Sequence, residues 1–335
     1  MREKKEFNEL EQEYNKKRSS QNIPIITDVS HLCSLLGYQE GFIFSLTNNQ
    51  SKFYRTFEIG KKSGGQRKIE EPFPVLKRIQ YWINNNILQK VRSQNILIKS
   101  YRKGVSIRDN ARFHKNQKKL LTLDIKDYFG SIKEKDVYFF FKRLGYKKDI
   151  AMILTKLCTK DKKIPQGAPT SPLLSNLITN MIDIRIFNFC KKHKIRYTRY
   201  ADDMSFSGDF DSDYIIKFVV GVLKDYNFKL NFNKIRNRKQ GQCQEVTGIV
   251  VNEKLQAPKK IRKKLRQEIY YIKTLGLEKH LENIGINIET QDKYIDRLIG
   301  KLNFVLFINK KDSQIREYLN VLYAIKRGGY VCSFC

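Results

Sequence analysis

The chain has few acidic residues: it contains 34 Asp and Glu but 65 Lys and Arg, so the 335 residues have a formal net charge of +31. A net charge of about 2–8 is enough to keep a small domain soluble. The excess therefore indicates a polyanionic partner, and among polyanions it favours nucleic acid.

The sequence also lacks long apolar runs and a repeated pattern of cysteine pairs. The sequence has no run of about 18 apolar residues, the length that a membrane-spanning helix needs, and residues 1–20 read as a charged helix without a signal-peptide core. We therefore expect no membrane association. The six cysteines are scattered, which favours a reducing cytoplasm. Cys332 and Cys335 form a C-x-x-C, but without a second pair a zinc site is not expected.

Acidic side chains nevertheless occur at two strand ends. Alternation across residues 121–126 predicts a strand with its apolar residues on one face and Asp124 on the other. Downstream, β-prone residues flank 200–203 and predict a hairpin whose tip carries Asp202 and Asp203, because aspartate tolerates the unusual backbone angles of tight turns. A strand-end carboxylate that faces a carboxylate pair is what two Mg²⁺ ions about 3.5–4 Å apart require.

Asp127 competes with Asp124 for the first carboxylate position. It follows Asp124 by three residues, and the alternation of the strand directs it to the opposite face. We therefore favour Asp124, and we include its neighbour Ile125 in the predicted metal site. Mn²⁺ is a chemically similar substitute for Mg²⁺ there.

The order of the motifs resembles that of the reverse transcriptases. Residues 165–176, PQGAPTSPLLSN, lie between Asp124 and the Y-A-D-D of residues 200–203. An aspartate, then PQG-x-x-x-SP-x-x-SN, then Y-x-D-D is the order found in that family. N-A-x-x-H at 110–114 and V-T-G at 246–248 further resemble the retron reverse transcriptases, bacterial enzymes that copy part of a structured noncoding RNA into single-stranded DNA.

The resemblance covers roughly residues 50–310 and implies an α+β fold shaped as a right-hand polymerase. The fingers are expected within residues 1–115, with a return at about 140–164. The palm, with an antiparallel sheet, is expected from 116–139 and 165–255, and a basic helical thumb from 256–335.

Local patterns predict the elements within this frame. Apolar residues at helical spacing predict helices, and alternating β-prone stretches predict strands. The helices are expected near 74–91, 172–190, 259–272, 292–309 and 313–327; short strands are expected within 31–66, and a hairpin is expected to pair 228–236 with 244–252.

The family resemblance implies RNA-directed DNA synthesis with two Mg²⁺ ions, in which Asp124, Asp202 and Asp203 are the catalytic metal ligands. Phe129 corresponds to the aromatic residue that blocks a ribose 2′-OH. The residues expected to contact the incoming nucleotide are Arg67, Lys61, Phe129, Gln166 and Lys234. Those expected to contact RNA or DNA are Asn110, His114, Val246, Thr247, Gly248, Lys259, Lys260, Lys263 and Lys264.

The resemblance also implies partners. A cognate noncoding RNA would serve as template and primer, dNTPs as substrates, and an RNA–DNA hybrid would form. Only about 80 residues follow the palm hairpin, too few for a thumb and an RNase H domain, so a host RNase H is expected to remove the template. An effector protein in a phage-defence system is a further possible partner.

Two alternatives stay open at this point. One is another bacterial reverse transcriptase of the group II intron type, which the lack of maturase and endonuclease extensions disfavours. The other is a non-catalytic RNA-binding scaffold, which the presence of all three aspartates disfavours. Single motif residues also have plainer interpretations: His114 as a core histidine, Phe129 as a core phenylalanine and the basic helix as a solvated face.

Overall fold

A computed structural model describes residues 22–60, 64–91 and 97–327. Lys61, the predicted N-terminal helix and the C-terminal C-x-x-C lie outside the described residues. The chain forms two compact units. The first contains positions up to 105 together with 123–204 and 211–235, and the second contains 106–122, 205–210 and 236 onward. The predicted fingers, palm and thumb ranges stay a prediction.

The first unit begins with two helices, α1 (Val29–Leu36) and α2 (Glu40–Asn48). The carboxylate of Asp28 caps α1 by accepting the His31 N–H at 2.8 Å, and α1 ends at Gly37 with a φ of 76°. The prediction of strand-like pieces is therefore wrong for α1 and α2. In α1, capping groups at both ends favour the helix over the local β propensity.

A two-stranded antiparallel sheet and a third helix follow. β1 (Tyr54–Gly60) pairs with β2 (Gln66–Pro72), in a register that places Tyr54 opposite Pro72. α3 (Pro74–Asn86) has proline in its first turn, where the missing N–H costs no hydrogen bond. Leu76, Ile79 and Ile83 are buried at the predicted helical spacing, so the helix is confirmed, although it ends at Asn86 and not near residue 91.

The remaining elements up to residue 250 form a mixed α and β arrangement. In chain order they are α4 (Ile107–Phe113), β3 (Lys119–Lys126), α5 (Tyr128–Ser131), α6 (Glu134–Arg143), α7 (Lys148–Cys158), α8 (Ser171–Lys192), β4 (Arg196–Tyr200), β5 (Asp203–Gly208), α9 (Ser212–Asp225), β6 (Lys229–Leu230), β7 (Arg236–Lys239), β8 (Glu245–Val246) and β9 (Ile249–Val250). The predicted apolar helix at 172–190 is confirmed as α8.

The central sheet has the strand order β4-β5-β3-β6, and β7 also pairs with β3. β6 and β7 both run antiparallel to β3, with Ile125 opposite Leu230 and Lys119 opposite Lys239. The predicted hairpin between 228–236 and 244–252 is therefore wrong. The first segment pairs with β3 instead, and β8 pairs with β9.

The second unit is largely helical after residue 258. α10 (Lys259–Leu275), α11 (Leu277–Asn283), α12 (Gln291–Ile308) and α13 (Ser313–Lys326) surround a continuous apolar core. The predicted apolar stripe of α10 lies in that core, except that Ile261 is 36% exposed. In the part of the chain that the structure describes, no helix is long and apolar enough to cross a membrane.

Candidate active site

A tight turn between β4 and β5 carries the Y-A-D-D motif. Ala201 has a left-handed φ of 56°, a conformation that costs a residue with a Cβ roughly 1–2 kcal/mol. Its N–H donates to Ser100 Oγ at 2.8 Å, and its carbonyl accepts from Arg199 at 2.8 Å. The residue in the unusual conformation is therefore Ala201 rather than one of the aspartates, and hydrogen bonds on both sides hold it there.

Asp124 lies beside this turn because β3 and β5 are neighbours. The N–H of Ile125 donates to the carbonyl of Asp202 at 3.0 Å. The buried Asp124 carboxylate accepts from Lys234 Nζ at 2.6 Å and from Asn231 Nδ2 at 3.1 Å. The pairing of the two strands thus places Asp124 beside the turn that carries Asp202.

Burial and neighbouring charges shift the pKa values of two residues of the site. Burial, and then the negative charge of Asp124, raises the pKa of Asp202, while Lys234 and Arg67 act in the opposite direction. The hydrogen bond to Asp124 raises the pKa of Lys234. Asp124 thus disfavours the negative charge of Asp202 and forms an ion pair with the ammonium group of Lys234. Carboxylate oxygens such as these are the ligands that hard divalent cations prefer.

The carboxylates do not by themselves form a complete cage. Among residues 22–60, 64–91 and 97–327, no group of three or more acidic, histidine or cysteine side chains is arranged to hold a metal ion. Asp202 is half-buried and Asp203 is exposed. Ile125 has a purely hydrocarbon side chain, so only its backbone carbonyl could be a ligand.

Asp127 occupies a different place from Asp124. It precedes α5 with a left-handed φ of 45°. Its carboxylate lies over Gly130, where an added Cβ would come within 2.2 Å of Oδ2. Its side chain therefore packs against its own helical turn.

The predicted nucleotide-binding residues lie on several elements of the first unit. Phe129, half-buried on α5, contacts the ring of Tyr128 at a centroid distance of 5.4 Å. Gln166 is half-buried, and its carbonyl accepts the Glu70 N–H of β2 at 2.8 Å. Arg67 is exposed on β2.

Sequence reasoning missed a buried polar group behind the turn. Arg199 and Asp183 are fully buried and form an ion pair at 2.6 Å. Asp183 lies within α8, which its apolar sequence already indicated to be buried. A carboxylate in such a helix requires a buried partner, and this was the available signal. Tyr101 was also missed: burial, and then the charge of Asp202, raises its pKa to about 12.

The two retron-like motifs come together in the second unit. Thr247 and Gly248 have φ values of 47° and 81°, the pair of positive angles that a type I′ turn between β8 and β9 requires. Thr247 Oγ1 donates to the carbonyl of Ile107, in α4, at 3.4 Å.

Three residues of these motifs are buried, and their predicted direct contact with RNA needs correction. Asn110, His114 and Val246 are at most 1% exposed, and the His114 ring makes a 2.7 Å hydrogen bond to Ser207 Oγ. A buried side chain presents no surface to RNA, so these residues support the local structure. Thr247 and Gly248 remain partly exposed at the turn.

Four lysines cover the outer face at the beginning of α10. Lys259, Lys260, Lys263 and Lys264 are all exposed, whereas Leu265 faces the core. This separation of charge from apolar surface leaves the lysines available to a phosphate backbone.

Comparison with known proteins agrees with this geometry. The reverse transcriptase (RNA-dependent DNA polymerase) family profile matches residues 59–263. The chain therefore belongs to the reverse transcriptase family, whose members use divalent metal ions and bind RNA and DNA. The predicted α+β right-hand polymerase fold and the RNA-directed DNA polymerase activity are confirmed.

The more particular resemblance is to retron enzymes. The chain is 31% identical to the Retron Ec86 reverse transcriptase of Escherichia coli, over 77% of this chain and 77% of that protein. It is 28% identical to the Retron Mx65 reverse transcriptase of Myxococcus xanthus, over 78% of this chain and 63% of that protein. It is 29% identical to the Retron Se72 reverse transcriptase of Salmonella heidelberg, over 76% of this chain and 70% of that protein. These matches confirm the predicted retron resemblance.

Solved structures with a similar chain path include two nucleic acid complexes. One is telomerase from Candida albicans with a fragment of telomeric RNA, with 12% identity and a TM-score of 0.45 over 83% of this chain and 61% of that one. The other is a foamy viral protease–reverse transcriptase with double-stranded DNA, with 15% identity and a TM-score of 0.48 over 83% and 39%.

Proposed function

We propose that the chain copies a cognate structured noncoding RNA into single-stranded DNA that stays covalently linked to RNA. The observation that carries the proposal is the convergence of Asp124 and Asp202 in a chain whose relatives are retron reverse transcriptases. The primer is proposed to be a 2′-OH of the same RNA, which would give a 2′,5′ branch. A phage-defence role with an effector protein, and template removal by a host RNase H, belong to the same proposal.

Two Mg²⁺ ions, or Mn²⁺ in their place, are proposed to bind at Asp124, Asp202 and Asp203, with the Ile125 carbonyl and substrate phosphates as further ligands. When bound, such ions lower the pKa of the primer hydroxyl and neutralise charge on the leaving pyrophosphate. Lys234 is 53% exposed, so its ammonium group can move from Asp124 to a triphosphate. Arg67 is proposed to bind the same triphosphate, and Gln166 the nucleotide.

The cognate RNA can be found by sequencing the RNA that co-purifies with the protein. If the proposal is correct, one RNA should dominate, and incubation with dNTPs should extend it. A debranching enzyme should then release the DNA from the RNA. If the protein instead makes DNA on unrelated templates, and this DNA carries no linked RNA, the chain is a reverse transcriptase of another bacterial kind.

We expect Thr247→Asn to impair synthesis on the cognate RNA by about tenfold, the loss of roughly one hydrogen bond. Asparagine followed by glycine favours the type I′ turn, so the variant keeps the β8–β9 turn while changing the exposed side chain. Primer extension on the cognate RNA and on a generic annealed primer–template is the measurement. Equal losses on both templates would contradict RNA recognition by this turn.

Phe129→Ala should relax the selection of deoxyribonucleotides over ribonucleotides by about 10- to 100-fold, because removing the ring opens the space that a 2′-OH would fill. The measurement is kcat/KM for a dNTP and for the rNTP with the same base. Phe139→Ala is the matched control, since Phe139 is 58% exposed on α6. An unchanged ratio in Phe129→Ala would show that this ring is part of the core only.

Replacing Lys259, Lys260, Lys263 and Lys264 by glutamine should weaken RNA binding and flatten its salt dependence. Each lost phosphate contact should reduce the log–log slope by about 0.7–0.9. A control variant removes four exposed lysines from the first unit, Lys191, Lys192, Lys194 and Lys217. If both variants change the slope equally, the α10 face has no special role.

A further inference from the structure

A single guanidinium group lies directly behind the catalytic turn. Arg199, on β4, is 0% exposed, as is its partner Asp183 on α8. Nε donates to one carboxylate oxygen at 2.7 Å and Nη2 to the other at 2.6 Å. This two-pronged pair compensates the buried charges.

The remaining donors of Arg199 reach beyond the ion pair. Nη2 also donates to Thr179 Oγ1 at 2.8 Å. Nη1 donates to the carbonyl of Ala201 at 2.8 Å and to the hydroxyl of Tyr128 at 2.7 Å, and it makes a longer contact of 3.4 Å to Asn176 Oδ1. Because the guanidinium group is planar and its five N–H bonds point in fixed directions, these partners are held at fixed positions relative to one another.

Two of the three partners of Nη1, Ala201 and Tyr128, are each followed in the sequence by a residue of the site. Ala201 directly precedes Asp202 and holds the strained conformation of the turn. Tyr128 directly precedes Phe129, and the two rings touch edge to face. One nitrogen atom therefore ties the carboxylate turn to the α5 helix on which the sugar-facing ring lies.

These contacts exceed what neutralisation of a buried charge requires. Asp183 and Thr179 already satisfy Nε and Nη2. The Tyr128 hydroxyl has a second partner in Thr179 at 3.1 Å, so the network also fixes the orientation of its ring. The two shortest contacts of Nη1 end at Ala201, beside Asp202, and at Tyr128, beside Phe129.

We propose that Arg199 is a positioning residue which, through Ala201 and Tyr128, sets the distance between the catalytic turn and Phe129 and thereby determines how strictly deoxyribonucleotides are selected. The inference rests on the proposed role of Phe129 as the residue that excludes a 2′-OH. Arg199 itself touches neither substrate nor metal in this scheme.

Tyr128→Phe is the decisive variant, because it removes one hydroxyl and keeps the ring. Arg199→Lys is the second variant, since lysine keeps the charge beside Asp183 but lacks the planar fork. Tyr54→Phe is the matched control: Tyr54 is also a buried tyrosine of the first unit, and its hydroxyl accepts a hydrogen bond from Gln80 at 2.8 Å. Phe129→Ala reports on the underlying role of the ring.

The measurement is single-nucleotide incorporation on a generic annealed primer–template, with kcat/KM determined for a dNTP and its matching rNTP. We expect Tyr128→Phe to lower the ratio of the two by about fivefold, the effect of losing one ordinary hydrogen bond. Arg199→Lys should lower the ratio further, and Tyr54→Phe should leave it unchanged. Thermal unfolding of each variant shows whether the protein is folded, and if Arg199→Lys is not, Tyr128→Phe decides the question.

The outcomes distinguish the positioning role of Arg199 from the proposed role of Phe129, on which it rests. If Phe129→Ala changes the ratio and Tyr128→Phe does not, the positioning role of Arg199 is wrong while the role of Phe129 stands. If Phe129→Ala leaves the ratio unchanged, both are wrong. Equal losses for dNTP and rNTP in Tyr128→Phe would show a purely structural role and would likewise overturn the inference.

Discussion

Asp202→Asn should abolish DNA synthesis and leave RNA binding nearly intact. Metal ions stabilise the transition state of phosphoryl transfer by several kcal/mol, so removing the charge of this proposed ligand should lower turnover by at least about a thousandfold. Affinity for RNA has a different origin, because it comes from a net charge of +31 spread over the chain. The neutral amide occupies the same space as the carboxylate, so the fold should persist. Asp203→Asn should behave similarly.

Primer extension and filter binding on the same preparations test this expectation. Asp225→Asn is a suitable control, since that carboxylate lies on the surface at the end of α9 and pairs with Arg185 at 2.8 Å. An exposed pair of this kind contributes little, so the control should extend primers normally. Undiminished extension by both Asp202→Asn and Asp203→Asn would refute the assignment of the metal site.

The positions of Asp124 and Asp202 could be predicted because they depend on local signals. Alternation across 121–126 sets the face of β3, and the β-prone residues around 200–203 set the hairpin. Helices such as α3, α8 and α10 were predictable for the same reason, since each has apolar residues at a helical spacing within one stretch of chain.

Pairings between distant segments were not predictable in this way. β7 pairs with β3 across more than a hundred residues, with Lys119 opposite Lys239, whereas the sequence predicted pairing with the next strand-like segment. Sequential strands are neighbours only about two-thirds of the time. The turn at V-T-G was not predicted either. Its two positive φ angles connect β8 and β9 in a short hairpin of their own.

The polar network around Arg199 shows a second limit of sequence patterns. Asp183, Arg199 and Tyr128 come from a helix, a strand and a short helical turn, and each taken alone has an ordinary interpretation. What the sequence pattern does show is one carboxylate, Asp183, among the apolar residues of a helix. The partner of this carboxylate depends on which charged residue the fold brings within hydrogen-bonding distance, and that is a property of the tertiary structure.

Gly167→Ala should destabilise the first unit strongly and weaken nucleotide binding. Gly167 has a φ of 135°, and an added Cβ would lie 2.8 Å from the carbonyl oxygen of Glu70 and 3.0 Å from Ile69 Cγ2. Backbone strain in this region and overpacking each cost about 1–3 kcal/mol, so we expect a loss of roughly 2–6 kcal/mol in the free energy of unfolding. Because Gly167 has no Cβ, its backbone can lie close to strand β2.

The same substitution should raise the KM for dNTPs, because β2 carries Arg67 and its Glu70 N–H bonds the Gln166 carbonyl at 2.8 Å. Urea unfolding and single-nucleotide incorporation are the measurements. Gly221→Ala is the matched control: Gly221 lies in α9 and has open space around the Cβ position, so alanine should stabilise that helix by up to about 1 kcal/mol. If Gly167→Ala unfolds at the wild-type urea concentration, the loop has room to move away from β2. The position of Gln166 beside Glu70 of β2 would then not depend on the packing of Gly167 against the strand.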